Sequence, residues 1–124
     1  MTALDQLSLD LSAPAYKISA RDRAGLGEPN ETKARAKLTI HVLETAAMCR
    51  HQGGMDPKDG RIWGRFLDAF AEAPVIVEVS VGDFEWLCRL VSAEDLRLPV
   101  GVQHWRVALE RYLDSLKLEQ KLKA

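Results

Sequence analysis

Residues 74–87 read PVIVEVSVGDFEWL, and this stretch predicts a strand that leads directly into a helix. The β-branched residues between Pro74 and Gly82 favour an extended segment, because such side chains pack well on a pleated surface. Ser80 and Asp83 have the spacing of a helix cap, in which the hydroxyl accepts a hydrogen bond from a backbone N–H three residues on. After this cap, apolar residues recur at helical intervals, namely Phe84, Leu87, Cys88 and Val91.

Three further helices are predicted around this stretch. Asn30 caps a helix that ends near Gln52, and Asp56 caps a second helix with Pro57 in its first turn. The last helix follows Gly101, and its core face consists of Trp105, Ala108, Leu109, Tyr112, Leu113 and Leu116.

The second of these helices contains two internal glycines. Gly60 and Gly64 lie with Ala71 along one flank of its apolar face. Each internal glycine costs about 1 kcal/mol relative to alanine. Either a neighbouring element packs closely against this flank, or the helix begins later than Pro57.

The predicted fold class is α+β and mostly helical, with four helices and a short β component. The β component consists of an N-terminal arm or hairpin and one internal strand. We expect residues 1–30 to form an extended arm and linker, and residues 31–124 to form a compact helical domain. Glycine, proline and charged residues between 19 and 30 are typical of a linker, so the arm is expected to be loosely tethered.

The arm carries alternating leucines. Leu7, Leu9 and Leu11 are separated by polar residues, which is the pattern of a half-buried strand. We expect the arm to pair as a strand from Leu4 to Ile18, either with residues 75–81 of the same molecule or with the sheet edge of a neighbour. The three leucines are therefore candidate partner-binding residues.

Composition restricts the classes of function. Seventeen Lys and Arg balance eighteen Asp and Glu in the 124 residues, so no overall charge attracts nucleic acid or an anionic membrane. No apolar run approaches the roughly 20 residues of a membrane-spanning helix, and the N-terminus lacks the basic residues of a secretory signal. We expect a cytoplasmic protein without membrane association.

Residues with catalytic or metal-binding chemistry are sparse. Four potential zinc ligands, Cys49, His51, Cys88 and His104, are scattered over the chain without the two close pairs that a structural zinc site requires. No serine or cysteine has the sequence context of a nucleophile, and no glycine-rich loop has the pattern of a phosphate cradle. The sequence therefore predicts no enzyme activity, metal or cofactor.

A DNA-binding regulator is the alternative that the residues leave open. The two predicted helices within residues 31–73 are joined by a short turn, and Lys58, Arg61 and Arg65 follow one outer face of the second helix. Two acidic residues on that face, Asp68 and Glu72, repel phosphate, so nucleic-acid binding is the weaker hypothesis.

Two further features indicate contact with a protein partner. Trp86 lies beside the apolar stripe of its helix and is predicted to be half exposed, as interface tryptophans often are. The C-terminal helix carries Val107, Leu118 and Leu122 away from its core face. A second apolar stripe on one helix implies a second neighbour.

Residues 77–87, VEVSVGDFEWL, and the aromatic-rich helix later in the chain resemble small accessory and morphogenetic proteins of tailed bacteriophages. The resemblance implies a phage or mobile-element protein, and it adds the virion as an alternative location to the cytoplasm. Together with the apolar N-terminal arm and the second apolar stripe of the C-terminal helix, it predicts a non-enzymatic interaction or assembly protein. The partner is another protein or a second copy, within a homo-oligomer or a larger assembly.

Overall fold

The protein is described by a computed structural model that covers residues 6–123, in which the chain forms two strands and five helices. This confirms the mostly helical α+β class, with one helix more than the four predicted. In chain order the elements are β1 (Gln6–Asp10), α1 (Ala20–Leu26), α2 (Glu31–Arg50), α3 (Pro57–Phe70), β2 (Ile76–Ser80), α4 (Val81–Ser92) and α5 (Val100–Lys123).

The additional helix is α1, which lies in the segment predicted to be a linker. Ser19 accepts a hydrogen bond from the backbone N–H of Asp22, and the Asp22 carboxylate accepts one from the Ser19 N–H. Gly27 ends the helix in the left-handed conformation, with φ of 65°. The prediction was wrong here because a reciprocal cap and a glycine stop define this short helix despite its loop-like composition.

The two strands pair with each other in antiparallel register, from Gln6 opposite Ser80 to Asp10 opposite Ile76. Leu7 and Leu9 alternate with exposed residues and are buried. Of the two expected modes of pairing, the intramolecular one is observed, but the strand ends at Asp10 rather than at Ile18. Leu4, the predicted start, lies outside the described residues. The arm is not loosely tethered, because its leucines lie in the same core as the helices.

Three predicted helix caps are confirmed. The side chains of Asn30, Asp56 and Ser80 cap α2, α3 and α4, respectively. Each accepts a hydrogen bond from the backbone N–H of the residue three positions on. The donor–acceptor distances are 3.0, 2.8 and 3.1 Å. Each cap satisfies one of the amide groups that the first turn of a helix leaves without an intrahelical partner.

The core is centred on α2, whose Val42 and Leu43 are fully buried. From α5, Leu109 and Leu113 pack into this core. A cluster of aromatic rings joins α3 to α4, with ring centroids 5.9 to 6.3 Å apart, and consists of Trp63, Phe66, Phe70 and Trp86.

Arg106 fixes the joint between α4 and α5. Its guanidinium is buried and donates hydrogen bonds to the carbonyl oxygens of Val91, Ala93 and Leu96 at 2.7, 2.6 and 3.1 Å. The last carbonyls of a helix have no intrahelical donor, and this arginine supplies one from outside. Glu110 lies 3.1 Å from its Nε and balances the buried charge. The α5 helix is therefore held at a fixed position relative to the end of α4.

No helix in the described range is both long enough and apolar enough to cross a lipid bilayer.

Candidate interaction surface

An outward stripe runs along α5 on the side away from the core, and consists of Val100, Val107, Leu118 and Leu122. These positions fall on one side of the helix because their separations are close to whole numbers of helical turns. All four side chains are exposed, Val100 by 92% and Leu122 by 79%. The predicted exposure of the last three is thus observed, and Val100 extends the stripe by two turns toward the N-terminus of the helix.

The C-terminal part of α5 has almost no packing. After Leu116, every side chain up to Leu122 is exposed except that of Gln120, which is half-buried. We call residues 117–122 the α5 tail. Two leucines are thus carried on a helical segment that the described chain does not cover.

The other end of the stripe borders a depression beside the loop between α4 and α5. Its volume is about 570 Å³, and its walls include Leu98, Val100, His104 and Val107. The outward stripe therefore borders a depression at Val100 and Val107, and it ends at Leu118 and Leu122 on the exposed tail.

A second apolar surface, which the sequence did not predict, lies between the end of α2 and α3. We call it the α2–α3 groove; it has a volume of about 330 Å³ and is lined by Ala47, Met48, Met55, Trp63 and Leu67, with Glu44, His51 and Gly54. Met48 is 71% exposed and Leu67 is also exposed. The sequence pattern places Leu67 on the apolar core face of its helix, and its exposure corrects that prediction. Met48 adjoins the core face of α2, where an apolar residue is normally buried.

The α3 residues that line this groove are Trp63 and Leu67. Gly60, Gly64 and Ala71 lie on the same side of α3 as Leu67, within two helical turns of it. The helix begins at Pro57, so the two glycines are internal. A Cβ atom placed on either glycine has no neighbouring atom within 4 Å. Neither a late helix start nor a close neighbour in the described chain accounts for the glycines.

The leucines of the N-terminal segment do not belong to a partner surface. Leu7, Leu9 and Leu11 are 7%, 1% and 2% exposed, so the hypothesis that they bind a partner is corrected. The physical reason is that β2 supplies both the backbone pairing and the apolar face that the alternating pattern requires.

Trp86 is also inside the protein rather than half exposed. Its indole N–H donates to the Asp59 carboxylate at 3.0 Å, and its ring stacks on His51 with centroids 6.4 Å apart. The first turn of α3 and the end of α2 cover the flank of α4 that the helical pattern placed at the surface. Trp86 is therefore a packing residue with a satisfied polar atom.

The three basic residues of the nucleic-acid hypothesis are not equivalent. Arg65 donates two hydrogen bonds to the carboxylate of Asp83, at 2.7 and 2.8 Å. These bonds hold the pKa of Asp83 below its usual value. Lys58 and Arg61 are exposed on the same helix. A phosphate approaching this face thus meets an arginine that is already engaged by a carboxylate, which weakens the electrostatic case for nucleic acid.

The potential zinc ligands do not form a cluster. Among the described residues, no three His, Cys, Asp or Glu side chains are grouped so that they could hold a metal ion. Cys88 is buried, which raises the pKa of its thiol to about 11. The thiolate is the nucleophilic form, so Cys88 is a packing residue at neutral pH.

Comparison with known proteins places the chain in no family: no protein-family model, curated protein or solved structure matches it. The outward stripe and the α2–α3 groove are therefore interpreted from their own geometry and chemistry.

Proposed function

We propose that this chain is a non-enzymatic protein-interaction or assembly protein that self-associates through the outward stripe of α5. The resemblance of residues 77–87 to phage accessory and morphogenetic proteins supports an assembly role in a phage or mobile element, in the cytoplasm or the virion. The exposed apolar side chains of the described residues supply surfaces for docking.

The distribution of exposed apolar side chains carries this proposal. Seven large apolar side chains are exposed in the described chain. Four of them form the outward stripe and two line the α2–α3 groove, the seventh being Ile76. Scattered apolar residues are normal on a protein surface, whereas apolar residues grouped into a few patches mark sites of interaction.

The expected association is weak. Burying a leucine side chain contributes roughly 1.5 to 3 kcal/mol, and the α5 tail offers two. Association also costs several kcal/mol of lost translational and rotational freedom. Oligomers should therefore form in a concentration-dependent way rather than as an obligate complex.

The test is the mass of the protein in solution, measured by light scattering over a range of concentrations. The parent chain should form oligomers, and Leu118→Glu with Leu122→Glu should reduce it to a monomer. Charged side chains at these positions remain solvated in the monomer and oppose burial in an interface.

The matched control is Gln6→Glu with Ala15→Glu, which adds the same two negative charges at exposed positions outside α5. The control should keep the mass of the parent. A parent that stays monomeric at every concentration, or an oligomer that survives both leucine substitutions, would overturn the proposed function.

A further inference from the structure

The α2–α3 groove and the α5 tail have complementary shapes and charges. We propose that the tail of one copy docks in the groove of a second copy, head to tail, an inference that rests on the proposed function. The partner of the outward stripe is then a different surface of the same protein, not the same helix of the second copy.

The shape of the groove suits a helix. Beside the lining residues Trp63 and Leu67, Gly60 and Gly64 carry no side chain and border open space, so the backbone of a docked helix can approach α3 closely there. Leu118 and Leu122 lie one turn apart on the tail and would enter the groove as adjacent anchors, which is how amphipathic helices bind apolar grooves. Met48, a flexible side chain on the opposite wall, can adjust to them.

The tail has a net positive charge, from Lys117 and Lys121 against Glu119, and carboxylates lie at the groove. Lys117 and Lys121 flank the leucines of the tail, and both are exposed. Glu44 lines the groove, and Asp68 follows Gly64 by one helical turn. No ion pair within the described chain engages any of these four groups. Docking would place the two lysines near the carboxylates of Glu44 and Asp68. The groove should therefore bind this tail better than a tail in which both lysines are replaced by acidic residues.

The tail does not fill the groove of its own molecule, because Met48 and Leu67 are exposed while the tail is part of the described structure. An interface between two different surfaces repeats from copy to copy and gives either a closed ring or an open chain. The parent should therefore grow beyond a dimer as its concentration rises.

Two variants separate the surfaces. The tail variant is Leu118→Glu with Leu122→Glu, which leaves the groove intact. The groove variant is Met48→Gln with Leu67→Gln, which keeps similar side-chain volumes, changes exposed positions and leaves the tail intact. Each variant alone should be monomeric by light scattering.

An equimolar mixture of the two variants is the decisive measurement. The intact tail of the groove variant can enter the intact groove of the tail variant, and no third copy can then be added. The mixture should therefore contain a one-to-one complex with twice the monomer mass and nothing larger.

The outcomes distinguish this proposal from the function on which it rests. A groove variant that keeps the mass of the parent, while the tail variant is monomeric, would overturn docking in the groove and leave self-association through α5 standing. A mixture that stays monomeric would also overturn the docking. A parent that is monomeric at every concentration would overturn both.

Gly64→Ala supplies an independent measurement with two opposite expected effects. The added methyl group has open space in the monomer, so the melting temperature of the tail variant, a monomer, should rise when this change is added. In an otherwise unchanged chain the same methyl group would obstruct the tail, and the dissociation constant should rise by about tenfold, equivalent to 1.4 kcal/mol. A dissociation constant that does not rise would contradict close approach at Gly64.

Discussion

The strand β1 and the α5 tail are two leucine-bearing segments at opposite ends of the described chain, and they differ in what covers them. Leu7 and Leu9 are buried against the core, whereas Leu118 and Leu122 are exposed. In β1, backbone pairing with β2 orients a whole row of side chains toward the interior. The tail extends beyond the core, so even its inward side contacts little of the protein. Its two leucines lie on the outward side of the helix.

This difference shows what an apolar pattern specifies. Periodicity identifies which side of a segment avoids water, but it does not identify the surface that covers that side. For β1 the covering partner is β2, about 70 residues away in the same chain. For the tail, no described residue of the same molecule plays that role.

The largest expected effect contrasts one leucine from each segment. Leu9→Ala should lower the free energy of unfolding by about 2 to 5 kcal/mol, because it leaves a cavity in the core. Leu118→Ala should change it by no more than about 0.5 kcal/mol, because this side chain is exposed in the monomer. Denaturant unfolding at low protein concentration measures both values. Equal losses would show that the two segments are buried alike.

A second contrast concerns two arginines on opposite sides of α5. Arg106→Met keeps the apolar stem but removes the donors from three carbonyl oxygens, and should cost about 1 to 3 kcal/mol of unfolding free energy. Arg111→Met is the matched control at an exposed position and should be nearly neutral. Chemical denaturation distinguishes them, and a neutral Arg106 variant would mean that water replaces the guanidinium without cost.

A smaller effect should follow from the hydrogen bond that joins β1 to α5. The Tyr112 hydroxyl accepts the backbone N–H of Asp10 at 2.8 Å. Tyr112→Phe should lower the free energy of unfolding by about 0.5 to 1.5 kcal/mol and speed the exchange of the Asp10 amide hydrogen. The amides of Leu7 and Leu9 should remain protected, since their strand pairing is unchanged. Unaltered exchange at Asp10 would contradict the bond.

The smallest expected effect depends on pH and concerns Asp83, whose pKa is lowered chiefly by its hydrogen bonds from Arg65. A lowered pKa means that the carboxylate stabilises the folded state above its ordinary pKa of 3.8, and that this contribution disappears as the pH falls through the lowered value. Asp83→Asn should therefore be less stable at pH 7, by less than about 1 kcal/mol, because Arg65 is exposed. The two chains should converge in strongly acidic solution.

The control for this pH dependence is Asp68→Asn, which removes the same charge from an exposed carboxylate that has no ion-pair partner in the described chain. Its free energy of unfolding at pH 7 should stay within about 0.5 kcal/mol of that of the parent, as for most surface substitutions. An Asp83 variant that differs from the parent by a constant amount down to low pH would contradict the role of the Arg65 pair.

Much of the fold could be predicted from local signals in the sequence. Asn30, Asp56 and Ser80 act as caps, as their spacing indicates, and the β-branched run before Ser80 forms the internal strand. These signals are local because a cap is completed within one helical turn. The helix α1 was missed although it has the same kind of cap at Ser19, since its surrounding composition is that of a loop.

The candidate surfaces could be predicted only in part. The outward stripe follows from the spacing of Val107, Leu118 and Leu122 along one long helix. The α2–α3 groove does not, because Met48 and Leu67 lie on different helices and only the packing of those helices brings them together. The burial of Trp86 has the same origin: α3 covers a flank of α4 that a single helical projection leaves open.

The pairing of β1 with β2 also sets the order in which the chain can fold during synthesis. Among the described elements, β1 leaves the ribosome before the others, and its partner strand follows about 70 residues later. Translation adds roughly 5 to 20 residues per second, so β2 emerges about 4 to 14 seconds after β1. The leucines of β1 have no partner strand during that interval. Helices α2 and α3 can form in that interval because their hydrogen bonds are local, whereas the sheet must close a long loop. Of the described elements, β1 is therefore synthesised first and is among the last to reach its native position.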